Sequence, residues 1–171
     1  MTDLRLRVIT SIGLVVGAVV GMAGTFAPSA SLRGLAWGID GTALVISAAL
    51  LTVHHLRRGN DLAAAGFLVF GLGETLIVSG AAMTAEASVP AFAAGVALWA
   101  AALVMVSLSG TMPLLVRVSG FLAGSLFTVV ALQIFSGAAL TALSQPLPFF
   151  AYPFLAATLF GWAWVHYRYT A

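Results

Sequence analysis

Six apolar stretches, separated by short polar punctuation, run the length of the chain at about residues 8–26, 35–53, 62–83, 89–108, 114–135 and 147–165. Each is close to the roughly 20 residues that an α-helix needs to cross about 30 Å of hydrocarbon. The breaks carry turn residues or charge: Ala27-Pro28-Ser29, the run from His54 to Asp61, Glu86, Gly110-Thr111-Met112-Pro113 and Ser144-Gln145-Pro146. The stretches are too long for barrel strands and show no alternation of polar and apolar residues. In lipid the helix is then the one way to satisfy their backbone hydrogen bonds. The pattern predicts an all-α integral membrane protein: six transmembrane helices in a single polytopic domain over residues 1–171.

Composition supports the same reading. At 61% hydrophobic and 7% charged, with a mean hydropathy of +1.10, the chain has too little polar surface to cover a soluble globule, in which about a quarter of residues are charged. The lipid bilayer is therefore its first partner. Seven arginines against five acids are too few and too scattered for a nucleic-acid footprint. The absence of Cys removes thiol catalysis, thiolate metal sites and disulfides, and the absence of Lys removes Schiff-base chemistry. No phosphate-binding loop, zinc-protease or nucleophile-elbow motif is present, and the predicted loops are too short to house a soluble active site. The expectation is a protein that is not an enzyme and carries no cofactor and no metal.

Arginine placement predicts the orientation. With both termini cytoplasmic, Arg5, Arg7, Arg57, Arg58, Arg117 and Arg168 fall at the inner boundary and Arg33 alone at the outer one. The rival reading, a cleaved signal peptide ending near Thr25-Phe26-Ala27, conflicts with the length of the first apolar run, which exceeds the 7–15 residues of a signal core. Ser79-Gly80-Ala81-Ala82-Met83-Thr84-Ala85 recurs one third of the chain later as Ser136-Gly137-Ala138-Ala139-Leu140-Thr141-Ala142, which points to three repeated helical hairpins. Richness in Ala and Gly, with Arg in place of Lys, points to a GC-rich bacterial source and hence to the bacterial inner membrane.

Helix packing is legible in the glycines. Gly13, Gly17 and Gly21 line one face of the first span, and Gly120 and Gly124 line one face of the fifth. Small faces let backbones approach closely where no hydrophobic force acts between helices. They are read as packing seams, with a pore-lining face as the alternative. Trp37, Trp99, Trp162, Trp164, Tyr152, Tyr167 and Tyr169 are read mostly as interfacial belt residues. The aromatic density of the last span is read as a lipid-facing surface, with a ligand wall as the alternative.

Two acids fall inside spans. Glu74 lies about nine residues from the outer end of the third span, roughly 14 Å deep, and Asp40 about five residues into the second, roughly 8 Å deep. A carboxylate in hydrocarbon costs several kcal/mol unless it is paired, hydrated or protonated. Facing each other, the two would form a dyad in which like charge and apolar surroundings keep at least one protonated. Such a dyad suits a proton-coupled carrier or a cation site. Thr42, Thr75, Ser79 and Gln133 lie at similar depth as further partners for a pathway, although such hydroxyls usually bond back to their own helix. The bland alternatives are a neutral Glu74 that serves assembly and an Asp40 that reaches outward to Arg33. His54, His55 and His166 share one depth at the inner span ends. They are read as solvated interfacial residues, because adjacent histidines point about 100° apart and at most one of the pair would face His166; the alternative is a ligand role, for a metal or a haem, or a sensor of cytosolic pH.

The layout of six spans in about 170 residues is similar to that of small bacterial urea and acetate channels, although none of their motifs is present. The sequence therefore predicts a small membrane channel or transporter for a small solute, proton or cation, built around Glu74 and Asp40. The alternative is a non-catalytic subunit that docks a partner membrane protein, and in either case a homo-oligomer or a partnered assembly is expected.

Overall fold

The computed structural model describes residues 4–81, 85–137 and 146–168. Six helices account for nearly all of them: α1 (Leu4–Thr25), α2 (Ala30–Leu56), α3 (Asp61–Ala81), α4 (Ala85–Leu108), α5 (Leu114–Phe135) and α6 (Pro146–Arg168). Among the described residues there is no strand. Five of the helices, α1 to α5, are long and apolar enough to cross a membrane, which makes this a multi-pass membrane protein. Residues 82–84 and 138–145 lie outside the described residues, so the two copies of the seven-residue repeat are described only in part.

Local chemistry explains the turns. Ser29 caps α2, its hydroxyl accepting from the Leu32 N–H. At the other end of α2, the His55 carbonyl accepts from the Arg58 and Asn60 N–H groups while Gly59 adopts φ +70°, the left-handed conformation that ends many helices. Asn60 then opens α3 by accepting from the Ala64 N–H (2.9 Å).

Each helix packs against its two neighbours in sequence, and α1 closes on α6. The result is a ring of six alternately directed helices. Its closing seam is polar: the Ser11 hydroxyl donates to the Ala163 carbonyl (3.0 Å), and the Arg7 guanidinium donates to the carbonyls of His166 (3.4 Å) and Tyr167. The last carbonyls of a helix have no partner inside it, so Arg7 caps α6 from a neighbouring helix. Arg117 does the same for α4, its Nε donating to the Ser107 carbonyl (2.7 Å). Arg5, Arg7, Arg57, Arg58, Arg117 and Arg168 all lie at one end of the ring, by the starts of α1 and α5 and the ends of α2 and α6.

Glycines set the seams. A Cβ on Gly13, Gly17 or Gly21 would stand 2.2 Å from Ser47 Oγ, 2.3 Å from a Leu44 methyl and 2.4 Å from Asp40 Oδ2 respectively, so the α1 glycine face is the bed of α2. Gly120 and Gly124 lie against α4 in the same way, at Ser107 and Val104. The tightest reciprocal approach is between α3 and α4, where a Cβ on Gly73 would meet the Gly95 carbonyl at 2.9 Å and one on Gly95 would meet the Gly73 carbonyl at 2.8 Å.

Aromatic rings fill the space between the helices. Phe67 meets Trp162 edge-on (4.8 Å), Phe70 stacks on Trp99 (5.9 Å, 16°) and meets Trp162 (5.6 Å), and Trp99 continues to Phe127 (5.5 Å) and Tyr152 (6.4 Å). Edge-on and offset pairs of this kind contribute about 0.5–1.5 kcal/mol each beyond area burial. Trp99 and Trp162 are buried, which corrects their reading as belt residues. The last helix is likewise not simply lipid-facing: Trp162 points inward while Phe154, Phe160 and Trp164 point outward.

Candidate functional site

The face of α3 that turns into the ring carries Phe67, Phe70 and Glu74, spaced three and four residues apart and each at most 1% exposed. Two aromatic rings of the core and the acid therefore share one stripe. Glu74 sits in a pocket made by missing side chains: its Oε1 lies 3.1 Å from where a Gly41 Cβ would stand, and the neighbouring Gly73 lets α4 come close enough to bring Trp99 beside it. Glu74 Oε2 is buried, and the nearest donor, the indole N–H of Trp99, lies beside the carboxyl without meeting it in good hydrogen-bond geometry. Tyr152 meets the ring of Trp99 edge-on at 6.4 Å, which places it next to the residue that flanks Glu74.

Asp40 points into the next seam, about 100° around α2 from Gly41. Its carboxyl is half-buried in the α1–α2 seam, against Gly17 and Gly21, and its Oδ1 is a second buried oxygen without a hydrogen-bond partner. The acids thus occupy adjacent seams at similar depth, close enough to interact through their charge, with Gly41 of α2 between them. This differs from a face-to-face dyad. Asp40 also does not turn outward to Arg33, which donates to the Ala27 carbonyl (3.4 Å) and lies over the Trp37 ring (5.9 Å).

The other pathway candidates are not brought to the acids. Thr42 and Thr75 are exposed on the outward faces of their helices and donate to the carbonyls of Gly38 (2.8 Å) and Gly71 (2.9 Å), one turn back in each helix. Ser79 is also exposed and donates to the Leu76 carbonyl (2.8 Å). Gln133 is exposed on α5, in an open groove with Val129, Leu132, Ser136 and Gly137. The physical reason is angular. Neighbours in a helix are rotated by about 100°, so Thr75 shares the depth of Glu74 and faces away from it.

The histidines require a correction of the opposite kind. His54, His55 and His166 are 6%, 4% and 2% exposed, so they are not solvated. All three converge: His54 and His55 meet at 5.1 Å between centroids, and each meets His166, at 5.8 and 5.3 Å. Phe67 stacks on His55 (5.3 Å, 18°) and closes the cluster toward the aromatic core. The expectation that one of the adjacent pair at most could face His166 fails because the imidazole of His166 fits against both.

The same comparison shows what sequence reading missed at the acid site. Trp99 falls in the middle of its span, too deep for a belt residue, and that depth is the signal that marks it as a neighbour of Glu74. Comparisons of the chain with known protein families, with curated proteins and with solved structures find no match, so its function is argued from its own residues.

Proposed function

We propose that this protein is a small carrier that passes a proton or small cation across the membrane, with Glu74 as the group that takes it up and Asp40 as its partner. The observation that carries the reading is the pair of carboxyls in adjacent seams, Glu74 buried and Asp40 half-buried, each with an oxygen that meets no hydrogen-bond donor in good geometry. A buried acid left in this state costs free energy that assembly alone does not recover, and a transported cation or proton offsets it. The packed aromatic rings support a carrier over an open water-filled channel, since passage requires them to move. The protein is not an enzyme on this reading. All six helices span the membrane, both termini face the cytoplasm by the arginine distribution, and the setting is a bacterial inner membrane.

The test is flux in proteoliposomes loaded with a pH-sensitive dye and driven by a potassium diffusion potential. Wild-type protein should acidify the lumen faster than empty vesicles, and Glu74→Gln should fall to the empty-vesicle rate while eluting at the same size. A wild type no faster than empty vesicles both in this assay and in its repeat with a sodium-sensitive dye, or a Glu74→Gln variant with undiminished flux, sinks the proposal.

A second reading has one observation in its favour. Gly34 and Gly38, one turn apart on α2, face open space, and a Cβ on either would meet nothing within 4 Å. Such a small outward face suits docking of another helix, here a second copy of the chain. Loss of the dimer in Gly34→Leu/Gly38→Leu, measured by native mass spectrometry, would support it; an unchanged mass would remove it.

A further inference from the structure

The histidine cluster at the arginine-bearing end takes no part in the function proposed above, and its chemistry stands apart. The geometry points to a binding site for one first-row transition-metal ion of the zinc class, held by His54, His55 and His166. One ligand atom from each of the three imidazoles can be chosen so that all lie within 4.8 Å of one another. The donor set is nitrogen alone, which suits zinc and its neighbours and not the oxygen-seeking magnesium or calcium.

The arrangement resembles a bound site in detail. His166 Nδ1 donates to the Trp162 carbonyl (2.7 Å), one turn back in α6. That bond fixes the tautomer and leaves the lone pair of His166 Nε2 aimed at His55 Nε2, 3.0 Å away. Metal-bound imidazoles commonly donate their second N–H to a carbonyl in this way. Two nitrogens bound to one tetrahedral ion at about 2.0–2.1 Å stand roughly 3.3 Å apart, so the observed pair needs to open by only a few tenths of an ångström. His54, the widest of the three, needs a swing of at most about 1.5 Å to join them. His55 Nδ1 is buried and has no hydrogen-bond partner, so the bonds within the cluster do not use up its nitrogens. The 3.0 Å separation also leaves no room for a macrocycle between the rings, which argues against haem.

Location adds a consequence. Among the described residues the backbones of α2 and α6 do not approach closely and both helices flank α1, so an ion held by His54, His55 and His166 would reinforce the side-chain contact by which they meet across the ring. Phe67, stacked on His55, shields the site from the interior.

The experiment uses full-length protein in mild detergent, purified without a histidine tag, stripped with chelator and titrated with Co2+ as a coloured substitute for Zn2+. One equivalent should saturate visible d–d absorption bands, and one equivalent of Zn2+ should abolish them. His55→Phe, which preserves the ring stacked on Phe67, and His54→Gln should each weaken Co2+ binding at least tenfold. No saturable binding by the wild type overturns the site whatever the variants do, because that measurement needs no substitution. Binding that persists undiminished in both variants overturns it as well, by assigning the metal to other groups.

Discussion

The ring holds two buried polar clusters, and the chain treats them differently. At the arginine-bearing end, His166 is anchored to the Trp162 carbonyl and paired with His55, so most of that cluster is satisfied from within. Toward the other end, Glu74 and Asp40 each bury an oxygen that meets no donor in good geometry, in pockets cleared by Gly41, Gly17 and Gly21. The contrast separates polar groups that hold a structure from polar groups held by it. A satisfied network stabilises its surroundings, whereas an unsatisfied acid draws on the stability of the seams around it.

Substitutions can break that contrast. The largest effect is expected at Gly73→Leu, whose Cβ would stand 2.9 Å from the Gly95 carbonyl and 3.0 Å from Leu98 and Trp99; backbone on the far side cannot yield, and we expect more than about 3 kcal/mol and loss of monodisperse protein on gel filtration. Gly38→Leu, which meets nothing within its own chain, should leave the thermal melt within about 0.5 kcal/mol of wild type. Next, Glu74→Leu should be neutral or stabilising by about 1–4 kcal/mol in thermal melts while abolishing flux, because it replaces a buried ionisable group by an apolar one of similar size. Destabilisation by Glu74→Leu would show that the acid holds the fold. His55→Ala should cost about 1–3 kcal/mol, since it removes the bond to His166 and the stacking on Phe67, and His55→Phe should recover part of that loss. The smallest effect is expected at Thr75→Val: within about 0.5 kcal/mol and with unchanged flux, because the hydroxyl bonds only to its own helix at an exposed position. A flux defect there would move the pathway to the outside of α3.

How far each cluster could be read from the chain follows from the same geometry. The helices are legible because about 20 apolar residues between turns admit one solution in lipid, and Glu74 because an acid within such a run is an anomaly. Depth along a span is a linear coordinate and survives translation into structure. Angle around the helix does not: Thr42, Thr75 and Gln133 match the acids in depth and face away, while His54 and His55, placed by depth in the solvated interface, are covered by α6 and Phe67. The glycines of α1 were visible as a face, but the carboxyl of Asp40 lying on them was not, because a small face names no partner.

Closure of the ring by α1 and α6 has a consequence for how the protein is made. At about 5–20 residues per second, the start of α6 at Pro146 follows the end of α1 at Thr25 by roughly 6–24 s of synthesis, and α1 must wait that long for the helix that closes on it. Until α6 has packed against α1, Ser11 and Arg7 lack the carbonyls they bond, His55 lacks His166, and Phe67 and Phe70 lack Trp162. A chain that stops short of α6 leaves α1 and α5 without the helix that packs between them and closes the ring.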